Sequence, residues 1–168
     1  IIMFKKKIRR VNDSDINDIL ISRNFNFNRK FMIKKKIISS LEHYIWWFNN
    51  NRETFVCNIN DNHKIYFWHK LVVYNKKKIL VGGWHSNKKK TNLYYVLFIL
   101  KWQLEYLQRK KLNYDWIAVI NKKNKWVLAL TKLLGYTHVS QKEIFFQKAI
   151  NKIFNVSKKK YFYLKLKV

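Results

Sequence analysis

The residues most able to do chemistry lie together between positions 82 and 92, in the order G-G-W-H-S-N-K-K-K-T-N. His85 ends an apolar segment, and an imidazole can take up or release a proton near neutral pH. Lys88, Lys89 and Lys90 come just before a segment with helical spacing, where free backbone N–H groups and the helix dipole favour a bound anion. The segment therefore predicts proton transfer beside an anion-binding loop. The alternative is a surface histidine followed by a solvated loop.

Two glycines, Gly82 and Gly83, stand inside the predicted strand that ends at His85. Glycine weakens a strand interior, so a pair there indicates a bulge or the close approach of another group to the backbone. A functional interpretation includes Trp84, the next residue along the strand. Simple bending of the strand is the alternative.

A complete helix is predicted between Asn121 and Gly135. Asn121 can cap its start, and Gly135 can end it because a left-handed residue is least costly without a Cβ. Apolar side chains recur between them at helical spacing, which predicts one buried face. These are Trp126, Val127, Leu130, Leu133 and Leu134. A short buried strand is predicted just before the helix, at 116–120, and a β-rich segment after it.

This order of strand, helix and Gly-aromatic ending resembles the C-terminal half of the GNAT superfamily, the acetyl-CoA-dependent N-acyltransferases. The matching residues are Asn124, Val127, Gly135 and Tyr136, with Asn124 eleven residues before Gly135. Thr131 stands where the family commonly has a tyrosine that serves as general acid. The segment D-S-D-I-N-D-I-L-I-S-R-N at 13–24 also resembles the opening of many GNAT proteins.

The resemblance implies an acetyl-CoA co-substrate lying where the sheet opens between the fourth and fifth strands. Its pyrophosphate would be received at the start of the long helix, although the family's glycine-rich loop is absent from this chain. The implied cofactor-binding residues are Gly83, Trp84, Lys88, Lys89, Lys90, Thr91, Asn92 and Asn124. The implied catalytic positions are His85, as a base acting on the amine, and Thr131. His43 and Trp47 would line the acceptor side, with core packing as the alternative.

Hydrophobic periodicity divides the chain into elements in the order β-α-α-β-β-β-α-β-α-β-β. The predicted strands cover 3–11, 54–59, 64–74, 78–85, 116–120, 137–147 and 160–167, and 148–155 is a short helix or a loop. The predicted helices begin at Asp13 or Ser14, at Ser39, at Thr91 or Asn92, and at Asn121. We therefore expect an α/β (α+β) fold. Its mixed, mainly antiparallel sheet would have one parallel strand pair at the cofactor cleft and helices on both faces.

Three of the predicted helices have a core face that can be predicted from spacing. The first buries Ile16, Ile19 and Leu20. The second starts with a capping box of Ser39 and Glu42 and buries Leu41, Tyr44, Ile45 and Phe48. The third, 93–112, carries one stripe of Leu93, Leu97, Leu100, Leu104 and Leu107.

The 168 residues carry 36 basic and 9 acidic side chains, a formal charge of +27, and 48% of them are apolar. That length and apolar share predict a single GNAT-like domain over 1–168. A charge this positive is typical of proteins that bind nucleic acid or anionic surfaces. The competing interpretation is an AT-rich coding sequence, because nearly all the basic residues are lysine and their clusters are spread along the chain.

Several features bear on where the protein resides. Cys57 is the only cysteine, so no disulfide forms within the chain and a reducing compartment fits. The start I-I-M-F-K-K-K-I lacks the apolar core of a signal peptide, and its missing initiator Met suggests a fragment or an alternative start. The longest apolar run, 93–100, is too short for a membrane helix. We expect a cytoplasmic protein without a membrane span.

Taken together, these features predict an N-acyltransferase that moves an acetyl group from acetyl-CoA to a primary amine by direct attack. The acceptor, a small-molecule or protein amine, and the oligomeric state are not specified by the sequence. One alternative is a catalytically silent GNAT-like binding or assembly protein, for example in a phage. The other is a basic module that binds nucleic acid through non-specific charge. No metal is expected, because His63, His69 and His138 have no Cys, Asp or Glu at ligand spacing.

Overall fold

A computed structural model describes residues 7–111 and 113–168 of the chain, which form seven strands, six α-helices and one short 3₁₀ helix. Phe4 and the rest of 3–6 in the predicted first strand, and Leu112 at the predicted helix end, lie outside the described residues. In chain order the elements are β1 (Lys7–Arg10), a 3₁₀ turn (Asp13–Asp15), α1 (Ile16–Asn24), α2 (Asn26–Arg29), α3 (Ser40–Asn49), β2 (Glu53–Asn60), β3 (His63–Tyr74), β4 (Lys77–Ser86), α4 (Leu93–Arg109), β5 (Asp115–Asn121), α5 (Lys125–Leu133), β6 (Thr137–His138), α6 (Ile144–Phe154) and β7 (Tyr161–Lys167).

The strands are hydrogen-bonded in the order β1-β2-β3-β4-β5-β7-β6. Antiparallel pairing joins β1 to β2, β2 to β3, β5 to β7 and β6 to β7. Parallel pairing joins β4 to β5, with Ile79 opposite Asp115 and Leu80 opposite Trp116. A crossover through α4 makes this parallel pair possible, because parallel strands need a long connection. The expected mixed, mainly antiparallel sheet with one parallel pair is confirmed.

The C-terminal segment corrects one predicted strand. Residues 137–147 were expected to be extended, but β6 covers only Thr137–His138 and α6 begins at Ile144. The Glu143 carboxylate accepts the backbone N–H of Ser140 at 2.9 Å in the turn before α6, and Glu143 is the N-cap residue of that helix. The chain therefore turns and enters a helix within a segment whose aromatic and apolar residues favoured a strand.

Helix ends follow the side chains that satisfy free backbone groups. Ser39 and Glu42 form the predicted capping box of α3. Asn12, rather than Asp13 or Ser14, caps the 3₁₀ turn ahead of α1. Asn124, rather than Asn121, caps α5, because its Oδ1 accepts the Val127 N–H at 3.3 Å.

The end of α5 is formed as predicted at Gly135, whose φ is +87°. The Gly135 N–H donates to the Lys132 carbonyl, and the Tyr136 N–H donates to the Thr131 carbonyl. This pair of bonds is a Schellman motif, which places a left-handed residue just past the helix.

The predicted core face is correct for α1 and partly wrong for α3, α4 and α5. Ile16, Ile19 and Leu20 are buried in α1 as expected. In α3, however, Leu41, Ile45 and Phe48 are 70%, 57% and 72% exposed, and His43 is the buried residue. The fully buried positions of α4 are Val96, Ile99, Gln103 and Leu107, so its core stripe is rotated from the predicted leucines. In α5, Leu130 is buried as expected, but Trp126 and Leu133 are exposed.

The described chain divides into two compact units. One comprises the residues up to Lys70 together with Gly82–Tyr95, and the other comprises Leu71–Val81 together with Val96–Val168. The first unit has a core cluster of Ile19, Val56 and Tyr66, against which Val11 and Trp47 pack. The second has a cluster of Leu80, Leu107 and Trp116, flanked by Tyr136 and Leu166. The single domain over 1–168 stays a prediction.

The turn between β3 and β4 is formed without glycine. Asn75 and Lys76 both have positive φ, 46° and 64°. Two consecutive left-handed residues between antiparallel strands are the signature of a type I′ hairpin, which favours Asn-Gly. Lysine therefore occupies a position where its Cβ is strained.

Candidate functional site in the first compact unit

His85 lies at the carboxyl end of β4 and is buried, with 7% of its surface exposed. Its Nε2 is 3.0 Å from the hydroxyl oxygen of Ser22 in α1, and its ring stacks on Tyr66 at 5.3 Å between centroids. Burial, followed by the positive charges of Arg23, His43 and Arg52, lowers the pKa of His85 to about 3. The imidazole is therefore neutral at pH 7.

Ser22 determines which nitrogen of His85 carries the hydrogen. The Ser22 hydroxyl donates to the Ile19 carbonyl at 3.2 Å, so its oxygen is left to accept the Nε2–H of His85. That arrangement leaves the lone pair on Nδ1. If His85 accepts a proton in a reaction, Nδ1 is the atom that takes it.

The loop after β4 is fastened at its base by hydrogen bonds around Ser86. The Ser86 hydroxyl oxygen accepts the Lys88 N–H at 3.0 Å and the Thr91 hydroxyl at 2.9 Å, and it lies 3.1 Å from Nε2 of His63. Asn87 bonds to Lys64 of β3 through both its side chain and its backbone. These bonds fix the backbone of the loop at its base, in a segment that contains no glycine.

The tip of this loop presents positive charge and free donors. The Lys88, Lys89 and Lys90 side chains are exposed, and Asn92 caps α4 by accepting the Tyr94 N–H at 2.9 Å. Within the described residues, no acceptor in the protein takes the backbone N–H groups of Lys89, Lys90 or Leu93. Free N–H groups, helix dipole and lysines together suit an anion such as a pyrophosphate.

Gly83 shows the close approach that the sequence predicted for the glycine pair. A Cβ at Gly83 would lie 3.2 Å from the indole of Trp68 in β3, tighter than a normal contact. Gly82 and Trp84, on either side, are half-buried. A larger residue at this position would therefore push against Trp68, which would have to shift by a few tenths of an ångström.

Arg52, which the sequence analysis overlooked, stacks on the same indole. Its guanidinium carbon is 3.7 Å from the Trp68 ring centroid and 5.0 Å from the Trp46 ring centroid. Burial, with a smaller effect from the charge of Arg23, lowers the pKa of Arg52 to about 10. The sequence could have indicated Arg52 only through its residue type, since six of the 36 basic residues are arginine.

The predicted acceptor residues of α3 are held by the fold itself. His43 is buried, and its Nε2 lies 2.8 Å from the Ile16 carbonyl. Trp47 packs on the core cluster of this unit and donates its indole N–H to Asp13 at 2.9 Å. These contacts fit the core-packing alternative, and the acceptor role of both residues stays a prediction.

The second unit contains Asn124 and Thr131. Capping α5 uses Oδ1 of Asn124, so a pantetheine carbonyl could be received only by its Nδ2 donors. The buried Thr131 hydroxyl donates to the Leu128 carbonyl at 2.8 Å, which engages the proton that a general acid would need. The roles of Asn124, of Thr131 and of the cleft predicted between β4 and β5 stay predictions.

Two further properties concern the whole described chain. Within residues 7–111 and 113–168, no helix combines the length and apolarity that a bilayer span requires. Over the same ranges, no three His, Cys, Asp or Glu side chains lie close enough together to hold a metal ion.

Comparison with known proteins gives matches in fold and none in sequence. No family model and no curated protein matches the sequence. Ribosomal-protein-alanine N-acetyltransferase from Brucella melitensis is 12% identical with a TM-score of 0.73, over 96% of this chain and 99% of that one. A GNAT-family acetyltransferase from Streptococcus pneumoniae is 11% identical with a TM-score of 0.66, over 98% and 99%. Spermidine N-acetyltransferase from Vibrio cholerae, in complex with CoA and spermine, is 12% identical with a TM-score of 0.69, over 97% and 95%. The chain therefore has the GNAT fold, as its resemblance to that superfamily predicts.

Proposed function

We propose that the protein is an N-acyltransferase that moves an acetyl group from acetyl-CoA to a primary amine. Its fold is that of solved N-acetyltransferases, one of which is in complex with CoA and spermine. A polyamine acceptor like that one suits this chain poorly, because a protein of +27 repels a polycation. The acceptor is therefore proposed here only as an amine.

The loop from Ser86 to Asn92 is the observation that carries this proposal. Its base is fixed by the Ser86 and Asn87 bonds, and its tip combines three exposed lysines with free N–H groups at the start of the 17-residue helix α4. A pyrophosphate needs such donors, and the fastened backbone gives them a fixed position without glycine. We propose that Lys88, Lys89, Lys90, Thr91 and Asn92 hold the phosphates of CoA.

The transfer itself forms a C–N bond to the amine and breaks the C–S bond of the thioester. The amine gives up one proton and the departing thiolate takes one. Backbone groups at Gly83 and Trp84 would orient the acyl group, and Nδ2 of Asn124 would hold the pantetheine arm. Burial, and then the neighbouring cations, keep His85 weakly basic, so we propose that it accepts a proton at Nδ1 only when a bound anion offsets those charges.

Two alternatives make different predictions about ligands. A catalytically silent protein with this fold would bind no acyl-CoA, and the missing glycine loop and Thr131 favour that alternative. A nucleic-acid-binding module would bind any polyanion through its lysines, with an affinity that falls steeply with salt. Both are distinguished from the enzyme by the salt dependence and selectivity of binding.

Calorimetric titration with acetyl-CoA, at 0.15 M and then 0.5 M NaCl, tests the proposal directly. ATP and heparin serve as anion controls, since a protein of this charge attracts polyanions generally. We expect acetyl-CoA binding that survives 0.5 M NaCl and exceeds that of ATP. Binding that disappears with salt and follows anion charge alone would remove acetyl-CoA as a co-substrate.

A matched pair of variants locates the binding. Lys89→Ala/Lys90→Ala removes two charges from the loop, and Lys34→Ala/Lys35→Ala removes two exposed charges elsewhere in the same unit. We expect the first pair to weaken acetyl-CoA binding about tenfold and the second to leave it nearly unchanged. Equal losses in the two variants would mean that the lysines act only through net charge.

A further inference from the structure

Arg23 is a half-buried cation, and one nitrogen of its guanidinium is buried without a partner among the described residues. In α1 its Nη2 donates to the Lys34 carbonyl at 2.7 Å. Its Nη1 is buried and, within the described residues, has no hydrogen-bond partner. An unsatisfied charged donor away from water costs free energy, so a native structure rarely keeps one without a use for it.

Arg52 is a second cation in the same surroundings. It lies against the rings of Trp68 and Trp46, and it is close enough to Arg23 for that positive charge to lower its pKa further. Among the described residues its guanidinium has neither an ion pair nor a hydrogen bond. Aromatic stacking holds a guanidinium in place while leaving its N–H edge available.

No carboxylate of this unit offsets the two arginines. The groups that shift the pKa of Arg23, Arg52 and His85 through charge are all cationic among the described residues. Four of the six acidic side chains of the unit form ion pairs with other residues, and a fifth, Asp13, accepts the indole N–H of Trp47. These pairs are Asp15 with Arg9, Asp18 with Lys64, Glu42 with Lys36, and Glu53 with Arg10. The two arginines therefore have no neutralising carboxylate among the described residues.

Residue type narrows the class of anion. Only six basic residues in the chain are arginine. Arginine differs from lysine in its planar fork of donors, which matches a carboxylate or a phosphate in two parallel bonds, and in its stacking on aromatic rings. The Arg52 stack uses the second property, and the free Nη1 of Arg23 offers part of the first.

Both arginines adjoin the residues proposed to handle the acyl group. Ser22, next to Arg23 in the chain, bonds to His85 at 3.0 Å. Trp68, on which Arg52 stacks, contacts β4 at Gly83. An anion held by the two guanidinium groups would therefore lie beside the strand whose end carries His85.

We propose that Arg23 and Arg52 bind the carboxylate of the acceptor, so that the amine acetylated by this protein belongs to an amino acid. The substrate class rests on the proposed acetyl transfer, but the carboxylate site itself can be tested without it. A bound carboxylate would satisfy Nη1 of Arg23 and pair with Arg52. It would also raise the basicity of His85 when the amine is in place.

Product-like probes test the site without any catalysis. Binding is monitored by tryptophan fluorescence in 0.15 M NaCl. Each probe acid is compared with the matching carboxamide, and the acids are N-acetylglycine, N-acetyl-leucine, N-acetylphenylalanine and N-acetylglutamine. We expect at least one acid to bind ten or more times tighter than its amide. If no acid of the four is preferred over its amide, the proposal is overturned.

Variants that keep the net charge separate specific binding from general attraction. Arg23→Lys and Arg52→Lys leave the formal charge at +27 but remove the fork of donors. We expect each to reduce the preference for acid over amide at least tenfold, whereas the exposed Arg109→Lys does not change it. Far-UV circular dichroism checks that each variant is folded, and the wild-type comparison stands without any variant.

The two proposals fail in different ways. Unchanged acid binding in both Arg→Lys variants would show that the carboxylate is held by net charge and would overturn this inference alone. Acid binding without acetyl-CoA binding would keep the carboxylate site and remove the acetyl transfer. Acetyl-CoA binding without any preference for acids would keep the proposed acetyl transfer and remove the carboxylate site.

Discussion

His85 is buried beside the cations Arg23 and Arg52, and burial first and these charges second leave its ring uncharged. Its pKa of about 3 lies below the value of 6.5 for a free imidazole. The unfolded chain therefore binds a proton here between pH 6.5 and pH 3, and the folded chain does not. The free energy of unfolding therefore has its highest value, as far as His85 is concerned, above pH 6.5, and it falls as the pH is lowered.

A measurable consequence is that His85 makes the largest contribution to the change of the free energy of unfolding with pH. Between pH 7 and pH 5 we expect this group to cost the wild type about 2 kcal/mol, with His43 and His63 adding in the same direction. Urea denaturation at pH 7, 6 and 5 measures the slope, and His85→Gln should flatten it. His138→Gln, which also removes one imidazole but from an exposed position, should not. Parallel slopes in all three proteins would show that His85 is not the source.

Asn124 has two separable functions, as a helix cap and as a proposed contact to pantetheine. Asn124→Ala should lower the free energy of unfolding by about 1 kcal/mol, because the Val127 N–H loses its acceptor. Asn124→Ser keeps a capping oxygen, so its stability should stay near that of the wild type, although the Nδ2 donors are gone. Chemical denaturation and acetyl-CoA titration of both variants separate the functions. An affinity that falls in Asn124→Ala but not in Asn124→Ser would mean that Asn124 acts only as the cap.

At the level of single residues, the sequence identified groups by position but could not reveal their partners. His85 and Gly83 were found because they stand at a strand end and inside a strand. Arg52 and Trp68 were not found, since their stack joins residues sixteen apart, one just before β2 and the other in β3. Nothing in the local sequence of either residue indicates that contact. The one usable signal was that arginine is scarce among the basic residues.

Helix α3 presents an apolar surface that the rest of its own unit leaves exposed. Leu41, Ile45 and Phe48 recur at helical spacing, as a core face does, and all three are more than half exposed. The opposite side, with His43 and Trp47, packs against α1 and the core. Spacing alone could not choose between these two sides, because both carry large apolar side chains.

Substitutions at exposed positions of α3 and at a buried position of α4 should differ strongly in their effect on stability. Leu41→Ala and Phe48→Ala should each change the free energy of unfolding by less than about 0.5 kcal/mol, since little surface is buried there. Ile99→Ala in α4 should cost about 2–5 kcal/mol, because that side chain is fully buried. Urea denaturation with a constant m-value measures all three. A loss above 2 kcal/mol in Leu41→Ala or Phe48→Ala would restore the predicted core face.

The long, strongly patterned elements were predictable and the short ones were not. β2, β3, β4 and α4 were found within a few residues of their observed ends. The segment 137–147 failed because β6 ends at His138 and α6 begins at Ile144, within aromatic and apolar residues that favour strands as readily as helices. A two-residue strand such as β6 exists only because β7 is there to pair with it, and no local pattern specifies that.

Across the whole molecule, charge opposes folding. A formal charge of +27 on 168 residues concentrates like charges on a small surface, and the exposed lysine clusters have few acidic partners. Repulsion between them destabilises the compact state and is screened by salt, with a Debye length of about 10 Å at 0.1 M.

Added salt should therefore stabilise this protein. We expect the Tm to rise by several degrees between 0.02 M and 0.3 M NaCl, with a larger rise in sodium sulfate of equal ionic strength if a specific anion site is filled. Differential scanning calorimetry gives the Tm, and a repeat with Arg52→Lys tests whether the extra effect of sulfate depends on that site. A Tm that falls or stays constant in NaCl would contradict the repulsion argument.

The hairpin at Asn75 and Lys76 offers a practical route to a more tractable protein. Both residues are left-handed, and only Asn75 is well suited to that conformation. Lys76→Gly would form the Asn-Gly pair that type I′ turns favour and would release about 1 kcal/mol of backbone strain. It would also remove one surplus charge. A background stabilised in this way lies outside the candidate site, so it could carry the destabilising variants that the functional tests require.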